Sequence, residues 1–221
     1  MPEPEAPSAL RARVLAAAAA THSTTRRQGR AAGGALLAAS VALAVTVFEG
    51  VGGFAHGAGR PLGITLAVAG GWTGVSALLA WLVVGRGGST LARRPFLVGA
   101  AAFATPFALF AWMHLFNGTY AEPYSAMGYR CLRYTLLISA LPLATFLALR
   151  RAVEPRYPAV LGAGAGAACA AWAGALIDLW CPLTNTWHVL VGHVAPLVAA
   201  TLAGAALGHF TLGVRPVRRR T

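Results

Sequence analysis

A chain of 221 residues with 57% apolar and 11% charged residues is too apolar, and too evenly so, for an ordinary soluble domain. Its net charge of +12 comes from 18 basic residues, every one an arginine. Nearly all of them lie between hydrophobic runs, so they read as topology signals and not as a nucleic-acid-binding stripe. Three cysteines without a C-x-x-C exclude a disulfide framework and the familiar zinc-ribbon and thioredoxin patterns, leaving one pair and one buried remainder open.

Residues 1–32 read as a cytoplasmic segment. Pro7-Ser8 caps a short predicted helix, Ala9 to Ala20, with Leu10, Val14 and Leu15 on one side and Arg11 and Arg13 on the other. Two uses are open: a partner-docking helix, or a basic tail that rests on anionic lipid through Arg26, Arg27 and Arg30. The first 30 residues lack the apolar core of a cleavable signal, so the N-terminus is expected to stay attached.

About 20 apolar residues are needed to cross a bilayer core. Six stretches qualify: Gly33–Ala55, Leu62–Val84, Phe96–Phe116, Cys131–Leu149, Pro158–Trp180 and Val189–Phe210. The predicted fold is an all-α polytopic bundle of six transmembrane helices over residues 33–210, followed by a basic tail, 211–221. Fifteen arginines fall on the side of the termini, against Arg60, Arg130 and Arg133 on the other, so both termini are expected in the cytoplasm of a bacterial inner-membrane protein. Glycine and alanine crowd the spans, notably Gly162, Gly164, Gly166, Gly174, Gly204 and Gly208, and predict closely approaching helices.

The few polar groups in the spans gather near the predicted outer level. Glu49, His56, His114, Asp178, His188 and His193 lie there together with Cys131, at the start of span four, and Cys181, at the end of span five. Cys131 and Cys181 therefore make a candidate redox-sensitive pair in an oxidising compartment, against the alternative of two unpaired small residues. Cys169, mid-span among alanines, reads as packing. Glu49, His114, Asp178, His188 and His193 are candidate accessory sensing residues, with pairing or interfacial packing as the alternative. No two histidines share a facing pattern, so no metal and no cofactor is expected.

At Cys131-Leu132-Arg133, Leu141-Pro142, Leu149-Arg150-Arg151, the Gly-Ala run from Gly162 to Ala168, and Cys181-Pro182 followed by Trp187-His188, the chain resembles the NrsF-type membrane anti-sigma factors. Its size and layout are also similar to CarR-type light-responsive anti-sigma factors of carotenoid genes. The resemblance implies six spans and a short cytoplasmic N-terminal segment. That segment would hold an extracytoplasmic-function sigma factor at the lipid bilayer until an oxidative or light-derived signal releases it. Such a protein regulates transcription negatively, without enzymatic activity and without touching nucleic acid itself. In that family the two cysteines are tied to sensing, and Cys131 and Cys181 occupy the matching positions. The chain has Trp187-His188 where a Trp-Tyr pair often follows the second cysteine, and it lacks the H-x-x-x-C-x-x-C motif of zinc-containing anti-sigma factors. The competing expectation is a membrane redox or haem-binding sensor that binds no sigma factor.

Overall fold

The computed structural model describes residues 12, 15–16, 26–50, 59–84, 95–150 and 157–213. Six long helices account for most of them: α1 (Arg26–Gly50), α2 (Leu62–Val84), α3 (Pro95–His114), α4 (Tyr129–Arg150), α5 (Pro158–Trp180) and α6 (Thr186–Leu212). All six are long and apolar enough to cross a membrane, and among the described residues there is no strand. The architecture expected from the hydrophobic runs is therefore present, as a multi-pass membrane protein. The last helix starts three residues earlier than its apolar run suggests, because Asn185 caps it by accepting a hydrogen bond from His188 N at 3.0 Å.

The chain divides into two compact units, Met1–Leu36 and Leu37–Thr221. In the first, Leu10, Arg11, Arg13 and Val14 of the expected docking helix lie outside the described residues, and Leu15 is helical and exposed. His56 also lies outside the described residues.

In the second unit α5 is the buried axis, packed against α2, α3, α4 and α6. Its small residues explain why. A Cβ at Gly162 or Gly166 would run into the backbone of Gly204 or Ala200 on α6, and a Cβ at Gly204 or Gly208 would meet the backbone at Gly162 or Pro158. Glycines four residues apart on both helices thus let two backbones touch where lipid supplies no hydrophobic drive for association. On its other sides α5 receives larger groups: Trp72 of α2 covers Gly174, while Val83 and Val98 cover Gly164. Ser76 of α2 donates to the Ala168 carbonyl of α5 at 2.9 Å, adding a polar tie inside an apolar interface.

α6 is not a uniform helix. After one α-turn, Thr186–Val189, it widens into a π-helical turn, Leu190–Val194, closed by Ala195 N–H bonding to Leu190 O, and then resumes as α-helix from Ala195. Pro196 follows directly on this turn and has no N–H to return to Gly192 O, so the α-ladder is interrupted where the wide turn ends.

Candidate functional site

The polar residues that the sequence places near one level converge in space, at the end of the second unit where α4 begins, α5 ends and α6 begins. Cys131 sits in the first turn of α4, and Cys181 follows directly on α5. Both are buried and both are free thiols. Between them lies His188, whose Nε2 is 3.0 Å from Cys181 Sγ and 3.5 Å from Cys131 Sγ. Its Nδ1 lies 3.0 Å from the Ala126 carbonyl, which can only accept. That contact puts the ring proton on Nδ1 and leaves the Nε2 lone pair facing the sulfurs.

His193 completes the group, with its ring centroid 5.5 Å from that of His188. The expectation that no two histidines face one another is overturned here, and the π turn is the reason. On a regular α-helix, residues five apart point about 140° away from each other. The wider turn brings His193 round to the side of His188. His193 is fully buried, and although it lies near enough to Cys181 to favour its thiolate, neither of its ring nitrogens reaches a hydrogen-bond partner. Hydrogen bonding with Cys131 and burial outweigh that influence and push the Cys181 thiol up to about 11.

Close backbone approach makes the convergence feasible. Gly128, at φ +81°, lies so near the π turn that a Cβ would be 2.7 Å from Gly192 N, and a Cβ on Gly192 would be 3.1 Å from that of Cys131. A cavity of about 430 Å³ opens beside the thiols, lined among others by Tyr124, Met127, Arg130, Trp180 and His188.

Two supports hold this arrangement. Arg60, just before α2, forms a buried ion pair with Asp178 in the last turn of α5, Nη2 to Oδ2 at 2.9 Å, and also donates to the Asp178 carbonyl. Burial is the largest influence and works against the Arg60 charge, but the Asp178 carboxylate, through its charge and its hydrogen bond, together with Tyr120 and Cys181 holds the guanidinium above its ordinary range. Glu122, in the segment between α3 and α4, accepts from Thr184 N at 2.6 Å, Thr184 Oγ1 at 2.8 Å and Asn185 Nδ2 at 3.1 Å. It thereby fixes the loop whose Asn185 caps His188. The Tyr120 hydroxyl donates to the Pro182 carbonyl in the same loop.

Of the sequence-derived candidates, Cys131, Cys181, His188 and His193 thus come together. Asp178 is next to them and paired. Glu49 and His114 are exposed and do not join the cluster, His114 stacking instead on Phe110 of its own helix. Arg60, Glu122, Gly128 and Gly192 were not anticipated. Arg60 and Glu122 are single charges in short connections, and a single sequence carries no signal for their partners.

No curated protein and no solved structure matches this chain. A family model does: residues 14–213, which include all six long helices, match NrsF, negative regulator of sigma F. With that match over most of its length, the chain belongs to the NrsF family of negative regulators of a sigma factor.

Proposed function

We propose that this protein is a membrane anti-sigma factor that holds an extracytoplasmic-function sigma factor at the bacterial inner membrane and releases it when an oxidative or light-derived signal reaches Cys131 and Cys181. The family match over residues 14–213 carries the regulatory part of the reading. The arginine distribution supports cytoplasmic termini, with the thiol end on the opposite side. Residues 1–32, with Leu10, Arg11, Arg13, Val14 and Leu15 on the docking helix, are the proposed sigma-binding segment. The bilayer anchors the complex, and the protein needs no contact with nucleic acid. Stress genes are the output in the broad version of the reading, and carotenoid genes in the narrower, CarR-type version.

The adjacency of the thiols supports the sensing step. A peroxide takes one electron and one proton from each of them, one S–S bond forms, and the peroxide leaves as two waters. Closing the sulfurs to about 2 Å draws α4 toward the α5–α6 connection. Light feeds the same step where it generates hydrogen peroxide.

The experiment is co-purification of sigma factor from the native cell with the full chain, before and after peroxide, alongside thiol-labelling mass spectrometry. Sigma factor is expected to co-purify with the reduced protein and to be lost as two thiols become protected. It is also expected to be lost on deleting Met1 to Thr25. A full release with all thiols still reactive ends the redox part of the reading, and no co-purification in either state favours a membrane sensor without sigma binding.

A further inference from the structure

Four groups that ordinarily ligate metals meet at one point, and they come from three separate stretches of chain. We propose that Cys131, Cys181, His188 and His193 form a binding site for one divalent cation of the zinc class. The inference concerns this end of the bundle alone and stands whether or not a sigma factor is the protein's partner.

The distances fit. The four ligating atoms all lie within 4.8 Å of one another. A tetrahedral ion bound by two sulfurs and two imidazole nitrogens needs ligand-to-ligand separations of about 3.3–3.8 Å. His188 Nε2 to Cys131 Sγ, at 3.5 Å, already has that value, and to Cys181 Sγ it is 3.0 Å.

The orientation fits as well. A ligating histidine generally donates its other ring N–H to a carbonyl or carboxylate, which fixes the tautomer and aims the free nitrogen at the metal. His188 does so toward Ala126 O. An independent observation comes from His193. It is completely buried, and both of its ring nitrogens are without a hydrogen-bond partner. A buried polar atom without a partner keeps its desolvation cost, and a metal bond is one way to remove that cost.

The donor set selects the class of ion. Calcium and magnesium want oxygen ligands, whereas two sulfurs and two nitrogens in a tetrahedral arrangement suit zinc. Charge points the same way: a divalent ion with two thiolates is neutral overall, and a neutral complex is the one that a buried site at the edge of an apolar bundle tolerates. The adjoining Arg60–Asp178 pair is neutral in the same sense and leaves no charge for the metal site to balance. The cavity beside Cys131, Cys181 and His188 supplies a way in. No local motif announces such a site, because its ligands are divided between the start of α4, the residue after α5, and the α-turn and π turn that open α6.

The test uses the full-length protein in detergent, reduced with a non-chelating phosphine. Metal content by mass spectrometry is expected to give one zinc per chain. Cobalt added after zinc removal is expected to give the visible bands of a tetrahedral ion with thiolate charge transfer, saturating at one equivalent. Cys131→Ser and His193→Gln should each weaken cobalt binding by at least the roughly 10–100-fold that losing an outer-shell partner costs. Cys169→Ser should leave binding unchanged. No zinc and no cobalt bands in the wild-type protein overturns the proposal without depending on any variant's folding. Bands that persist undiminished in Cys131→Ser and His193→Gln overturn the ligand assignment. Sigma-factor co-purification scored in the same samples separates the two readings: metal without sigma factor undoes the regulatory proposal alone, and sigma factor without metal undoes this one alone.

Discussion

In the first half of α5 and the last third of α6, away from the thiols, the two helices meet backbone to backbone across Gly162, Gly166, Gly204 and Gly208, with no space for a single added carbon. At the thiol end the same two helices are joined by a short loop and a π turn, and polar side chains fill the space between them. The seam therefore fixes one helix against the other, while the loop uses that fixed frame to present Cys181, His188 and His193. Cys131 is different: it arrives on α4, which contributes none of the glycines in the seam. Three groups of the cluster thus belong to one clamped body and the fourth to a neighbour. Any chemistry that joins Cys131 to the others couples α4 to the α5–α6 pair, and a coupling of that kind is what a sensor built from helices needs.

The seam is the easier half of this comparison to break. Gly166→Leu puts a branched side chain against the Ala200 carbonyl. Overpacking costs about 1–3 kcal/mol where neighbouring side chains can yield, and here the neighbour is backbone. The expected outcome is loss of monodisperse protein on size exclusion in detergent. Recovery of a normal elution profile would show that α5 and α6 are not held by close approach.

At the thiol end the largest effect is expected from the ion pair. Arg60→Ala strands Asp178, which is fully buried, and removing one partner of such a pair costs about 3–5 kcal/mol. Thermal denaturation in detergent should fall steeply. The double variant Arg60→Met with Asp178→Leu should recover most of the loss, because no unpaired charge remains. If the double variant is no better than the single one, the pair does more than hold the end of α5 in place.

Glu122→Gln should act more mildly. It keeps the shape of the side chain but replaces one acceptor oxygen with an NH₂, which then faces the donors either of Thr184 or of Asn185. A loss of about 1.5–3 kcal/mol is expected, the range for hydrogen bonds to a charged group. Amide exchange should rise specifically around 182–188, since that loop is what Glu122 ties down. Unchanged exchange there would mean that the loop is held by other contacts.

These cases also show what can be read from sequence and what cannot. The six helices and the small-residue seam follow from local properties: twenty apolar residues in a row, and glycines four apart. The equal depth of Cys131 and Cys181 follows from topology alone. Their actual adjacency does not, because it depends on Gly128 and Gly192 letting α4 approach the π turn. The meeting of His188 and His193 was hidden for a sharper reason. A five-residue spacing argues against a shared face on a regular helix, and only the re-phasing before Pro196 reverses that argument. Arg60 lies 118 residues from Asp178, and such a pairing leaves no trace in a single chain.

The smallest expected effect belongs to the third cysteine, which tests whether the two regions are as separate as they look. Cys169 lies on α5 within the buried middle of the bundle, packed beside the cluster that contains Val83, Val98, Leu143 and Phe146, and it is not part of the group formed by the other two thiols. A serine there can donate to the carbonyl four residues back, as Thr105 and Thr201 already do on their own helices at 2.7 and 2.8 Å. With the hydroxyl satisfied in this way, Cys169→Ser should cost less than about 1 kcal/mol. Thiol labelling of the unfolded variant should count one cysteine fewer than the wild type, while peroxide should still protect two. If Cys169→Ser instead abolishes that protection or the release of a bound sigma factor, the response does not reside at the thiol end, and the middle of α5 is part of the sensor and not only its frame.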